Sequence, residues 1–136
     1  MAEPFARFLR RSLAAVEAEC PTAWRQLTDV LGGHALLLTV DGQPTSLACR
    51  RGEIFWETQP SHDLSLTTER SAILALIDGL SLADAVFSGR VRLVGPPDEV
   101  IRFDAALTAY LHGVVRSPSQ PGLLRRYRAD TPQNAS

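Results

Sequence analysis

"DGLSLADAVFSGRVRLVG", residues 78–95, decides how this chain is read. Ser81 and Asp84 stand three apart, the spacing of a capping box with Asp in place of the usual Glu. Leu82, Ala85 and Val86 supply one short apolar turn, which Gly89 ends. Arg90 and Arg92 then alternate with Val91 and Leu93, the period of a strand with one wet and one dry face. Pro96-Pro97 breaks that strand and pre-sets a helix start, with Asp98 and Glu99 at its positive end.

Working outward, "TERSAILALIDG" has helical spacing through Ile73, Leu76, Ile77 and Leu80, with Thr68 as N-cap and Gly79 as terminator. Downstream, Val100, Phe103, Leu107, Tyr110, Leu111 and Val114 recur at three and four, the most strongly amphipathic helix of the chain. His112 beside Gly113 marks its end, where an imidazolium would suit the negative dipole. Upstream, "HALLLTVDG", "TSLACRRG", "EIFWETQ" and "HDLSLTT" read as four short strands with tight connections, one of them at Asp41-Gly42. Tight connections predict an antiparallel meander. Residues 4–20 give an amphipathic helix stopped by Pro21, and Trp24, Leu27 and Leu31 give a shorter second one closed by Gly32-Gly33. The expected class is α+β, a five-stranded mostly antiparallel sheet covered on one face by helices. One domain is expected over residues 1–117, and the Pro- and Ser-rich stretch 118–136 reads as a flexible tail with one helical turn at Leu123-Leu124.

Composition narrows the function classes. At 136 residues the chain buries a core without staples. Its net charge of −1 gives no general attraction to nucleic acid. All 14 basic residues are arginine, which excludes a Schiff-base or P-loop lysine. Cys20 and Cys49 lie in apolar surroundings without CxxC spacing and read as buried free thiols. The N-terminus shows no continuous apolar segment, so the expectation is a soluble cytoplasmic protein. No GxSxG, HExxH, GxGxxG or Walker pattern occurs.

What remains is a short set of candidates. His34, His62 and His112 share no ligand spacing, so no metal site is expected. Glu53 and Glu57 flank "IFW" and read as a solvated face, with Glu57 the first carboxylate to mutate were an activity found. Trp24, Phe55, Trp56, Phe87, Phe103 and Tyr110 come from four elements and either fill a core or wall a cavity. Tyr110 offers a polar handle for a ligand head group, and Arg102 could meet a carboxylate or phosphate. Arg125, Arg126 and Arg128 form a small basic patch.

Residues 62–113 resemble the sterol carrier protein-2 family of lipid-binding domains. "HDLSLTTE" is similar to the family's strand, and Leu76, Gly79, Ala85, Gly89, Arg90 and Gly95 match its helix–turn–strand skeleton. The long helix "VIRFDAALTAYL" follows as in the family. Pro96-Pro97 departs from the pattern, as does a C-terminus without an apolar targeting-type ending. The resemblance implies a five-stranded sheet, helices over it, and an apolar cavity between them, lined by Trp24, Trp56, Phe87, Phe103, Leu107, Tyr110 and Leu111. It implies a carrier or bacterial accessory for a lipid, acyl chain or polycyclic metabolite, with no cofactor; the basic patch allows at most weak membrane-surface contact, and a homodimer is left open. Two other readings stand beside it: a cyclase- or isomerase-like enzyme using the same cavity, and a scaffold docking a partner through its last helix.

Overall fold

The computed structural model describes residues 4–56 and 62–129. Helices α1 (Phe5–Glu19) and α2 (Pro21–Leu31) come first, followed by strands β1 (Ala35–Val40), β2 (Gln43–Arg50), β3 (Glu53–Phe55) and β4 (Leu64–Thr68). Helices α3 (Arg70–Ile77) and α4 (Leu82–Phe87), strand β5 (Arg92–Val94), and helices α5 (Pro97–Arg116) and α6 (Gln120–Ala129) complete the chain.

The α+β class and the five-stranded sheet are as expected. The strand order is β3-β2-β1-β4-β5, and three of the four pairings are antiparallel. The meander is corrected at its fourth strand. β4 does not lie beside β3; it pairs parallel with β1, Leu36 opposite Leu64 and Leu38 opposite Leu66. The reason is burial. Leu64 and Leu66 are almost fully enclosed, which a central strand allows and an edge does not. The two three-residue strands take the edges, where short strands expose few unpaired backbone groups. Both two-residue turns, Asp41-Gly42 and Arg51-Gly52, have positive φ at each residue, as a tight hairpin of this hand requires.

On β1, buried Leu36, Leu38 and Val40 alternate with half-buried Leu37 and Thr39. α1 buries Phe5, Phe8, Leu9, Leu13 and Val16 on one stripe, and Ser12 with them. Cys20 is held out of the helical region, as the residue before a proline prefers, and Pro21 opens α2 as its first residue. Ser81 caps α4 as its spacing predicts, its Oγ accepting from the Asp84 N–H at 3.1 Å.

Two local expectations are overturned. Thr68 does not cap α3. It ends β4 and donates through Oγ1 to the Arg90 carbonyl at 2.7 Å, while the Arg70 N–H at the helix start donates to Asp41 Oδ1 at 3.1 Å. Gly113 does not end α5, which runs on to Arg116. It lies where α5 meets α1 and α2, and a Cβ there would sit 2.7 Å from Val16 Cγ1 and 3.2 Å from Ala23 Cβ. The glycine is a close-approach residue.

The stretch from 118 onward is not a tail over its described part. α6 docks through Tyr127, fully buried, whose ring stacks on Phe8 with centroids 4.3 Å apart. The Arg70 guanidinium covers the Tyr127 ring at 4.2 Å. Gln120 Nε2 donates to the Ser12 carbonyl at 2.9 Å. Glu19, at the end of α1, accepts from the Ser119 N–H at 3.0 Å and from the hydroxyls of Ser117 and Ser119. The described helical domain therefore runs past residue 117.

The hydrogen bonds to Glu19, that from the Ser117 hydroxyl first, hold its carboxyl below the usual carboxylate range. A carboxyl lowered in the folded state adds stability above its unfolded pKa, and that stability is lost as pH falls through the folded value. Glu19→Gln is expected to lower the melting temperature near neutrality, with the gap to the parent closing in acid. Thermal melts at about pH 7 and about pH 3 check this. A gap unchanged in acid would mean that the charge is not what matters.

Candidate functional site: an apolar pocket under the long helix

α5 turns Phe103, Ala106, Leu107 and Tyr110 to one side, the i, i+3, i+4, i+7 stripe of an amphipathic helix. These face a pocket whose floor is the sheet, through Leu36, Leu38, Leu47, Ile54 and Leu66. α1 contributes Phe5, Phe8, Leu9 and Leu13, α2 contributes Leu27 and Leu31, and α3 contributes Ile73, Leu76 and Ile77. Apart from the Tyr110 hydroxyl, every lining side chain is apolar. The free volume is about 100 Å³, well below the roughly 300–1,000 Å³ of pockets that enclose small molecules. In this conformation there is room for a small apolar group.

Tyr110 presents its ring to the pocket, but its hydroxyl is engaged elsewhere. Its OH lies 2.6 Å from Ser12 Oγ, and Ser12 Oγ donates to Gln120 Oε1 at 2.8 Å. Ser12 has one hydroxyl proton, so Tyr110 is the donor to Ser12. Burial pushes the Tyr110 hydroxyl up to about 12. The chain Tyr110–Ser12–Gln120 ties α5, α1 and α6 together and takes the polar handle expected for a ligand.

Of the seven residues expected to line the cavity, Phe103, Leu107 and Tyr110 do so. Leu111 packs half-buried against the core but does not line the pocket. Trp24 and Trp56 line a neighbouring polar groove with Arg10, Glu17 and Glu53, which shares Leu13 and Ile54 with the pocket. There Trp24 Nε1 donates to the Gly52 carbonyl at 3.3 Å, and the Arg10 guanidinium lies 5.2 Å from the Trp56 ring centroid. Phe87 is 89% exposed. α4 buries Leu82 and Ala85, and Phe87, two residues beyond Ala85, falls about 200° round the helix from it. Glu57 lies outside the described residues.

Arg102 is also occupied, donating to Glu99 Oε2 through Nε and to the Val30 carbonyl through Nη1, both at 3.3 Å. Arg128 in the basic patch makes a two-pronged pair with Asp78, 3.0 Å in each arm. Cys20 and Cys49 are free and buried, and burial raises the Cys49 thiol above its ordinary value.

Sequence reading missed one cluster. His34 before β1, Asp63 before β4 and Glu99 in the first turn of α5 bring one ligand atom each within 4.8 Å of one another. They are dispersed over 66 positions, and only the parallel β1–β4 pairing brings the first two together. Among the described residues no helix is long and apolar enough to cross a membrane.

No protein-family model matches the chain, and no curated protein matches it significantly. Solved structures do. A ubiquinone synthesis protein described as UbiJ-SCP2 superposes with a TM-score of 0.53 at 18% identity, covering 74% of this chain and 97% of its own. Palmitated SCP2L2 from Aedes aegypti gives 0.51 at 22% identity over 77% and 95%. Sterol carrier protein 2 from Yarrowia lipolytica, in its apo form, gives 0.51 at 14% identity over 74% and 87%. With its sheet order, its helical cover and these likenesses together, the chain has the sterol carrier protein 2 fold.

Proposed function

We propose that this protein binds a lipid or other apolar metabolite between its sheet and helices, as a carrier or as an accessory to enzymes that process such molecules. The observation that supports this best is the pocket lining, apolar from five strand residues below to four helices above. Burial of apolar ligand surface, at about 25 cal/mol per Å², supplies the driving force. Part of it is spent on association and on opening the helical cover. The palmitated relative makes an acyl chain the first candidate occupant.

The acid–base reading has less support. Tyr110, the titratable side chain on the pocket, has a hydroxyl pushed up to about 12 and committed to Ser12. A group that holds its proton so tightly is poorly matched to proton transfer near neutrality.

Native mass spectrometry of the purified full chain, with displacement of a fluorescent fatty acid, tests the proposal. A copurified apolar mass or saturable uptake is expected. Neither being found would overturn it.

A further inference from the structure

The cluster at His34, Asp63 and Glu99 stands apart from the pocket and from the function proposed for it. His34 Nδ1 is shielded from solvent and lies 2.7 Å from Glu99 Oε1, yet no acceptor meets its N–H in a hydrogen-bonding direction. Asp63 Oδ2 is 3.8 Å from the same nitrogen. A ring nitrogen this close to a carboxylate oxygen is an ion pair when the imidazole is protonated, and two donors that a shared ion can take when it is neutral. Donors at about 2.0–2.2 Å from one ion stand roughly 3 Å apart at right angles, close to 3.5 Å at tetrahedral angles, and about 4 Å when opposed. Of the two measured separations, 3.8 Å falls within that span and 2.7 Å just below it, so a bound ion would spread His34 and Glu99 slightly.

The supporting contacts also fit. Glu99 is largely enclosed, and Arg102 holds its other oxygen through Nε at 3.3 Å, which leaves Oε1 directed at His34. Asp63 Oδ2 accepts from the Ala35 N–H at 2.8 Å, which fixes its carboxylate beside the start of β1. Such outer contacts orient metal ligands and are typical of built sites. Asp63 is nearly half exposed, leaving an open side for water. One imidazole and two carboxylates suit a divalent first-row ion of the zinc or manganese type.

We propose that His34, Asp63 and Glu99 form a divalent transition-metal site that clamps the starts of β1, β4 and α5. The ion takes the neutral His34 Nδ1 and one oxygen from each carboxylate, with water completing its shell. No redox step is involved.

The test uses the tag-free, metal-stripped full chain. Isothermal titration with Zn²⁺ is expected to show saturable one-to-one binding. In isotope-labelled protein, substoichiometric Mn²⁺ is expected to broaden the amide signals of Ala35, Leu64 and Val100 first. His34→Ala is expected to weaken Zn²⁺ binding by at least ~10-fold. Asp63→Asn keeps the shape and an acceptor for Ala35, and the same loss is expected from it. The proposal is overturned by no uptake at millimolar metal, by broadening centred on other carboxylates such as Glu19 or Asp78, or by affinity unchanged in both variants. The amide readout needs no substitution, so a variant that fails to fold does not shelter the idea.

Discussion

Replacing Tyr127 with alanine is expected to cost about 3–5 kcal/mol of folding stability, the range for deleting a fully buried aromatic ring. Tyr127 has no exposed surface, stacks on Phe8, and has the Phe5 ring at 6.4 Å. Its loss opens a void beneath α1 that rigid helices fill only in part. It also uncovers the guanidinium of Arg70, which is 5% exposed and faces the ring from the other side. A buried cation stripped of a neighbour adds to the cavity cost. Tyr127→Phe keeps the ring and is expected to retain most of the stability. Denaturant unfolding of both variants, with midpoint and slope fitted separately, gives the answer. A loss below ~1 kcal/mol for the alanine variant, in the ordinary range for a single substitution, would show that α6 is dispensable and return the domain boundary to residue 117.

Ala106→Leu should move stability and binding in opposite directions. Ala106 is buried on α5 and faces the pocket between Phe103 and Tyr110. Leucine adds three carbons, each worth about 0.8 kcal/mol when buried, into about 100 Å³ of free space. A gain of up to ~2 kcal/mol is expected, as for other cavity-filling changes. The same atoms occupy the volume proposed for the ligand, so fatty-acid affinity should fall at least ~10-fold, which corresponds to 1.4 kcal/mol. Melting and fluorescent titration on one preparation measure both. A stabilised variant that binds as well as the parent would place the ligand elsewhere, with the polar groove at Trp24 and Trp56 the next region to probe.

Local signals in the sequence carried the elements well, and a single physical fact explains why. Apolar spacing, caps and tight turns act between residues a few positions apart. Ser81 with Asp84, Pro96-Pro97 and Asp41-Gly42 therefore read correctly without knowledge of the rest of the chain. The same locality explains the failures. Thr68 looked like a cap because caps are judged from neighbours in sequence, whereas Asp41, a turn away in space, took that role. Phe87 looked like a wall because large rings are usually buried, yet the short α4 can bury only one side. Pro118 just before α6, Pro121 within it and four charged or polar positions read as tail; Gln120 and Tyr127 are its buried residues, a signal too sparse to show periodicity.

By itself, the sequence determined the class: seven of the eight pocket-lining positions on α1 and α5, all but Ala106, follow from helical spacing alone. Tertiary structure decided the rest. Inserting β4 parallel to β1 set the strand order and brought His34 to Asp63, and the packing of α5 and α6 on α1 gave Tyr110's hydroxyl to Ser12. Such contacts join residues 28 to 108 positions apart. Their formation depends on which buried surfaces compete for the same interior, and no short window of sequence contains that competition.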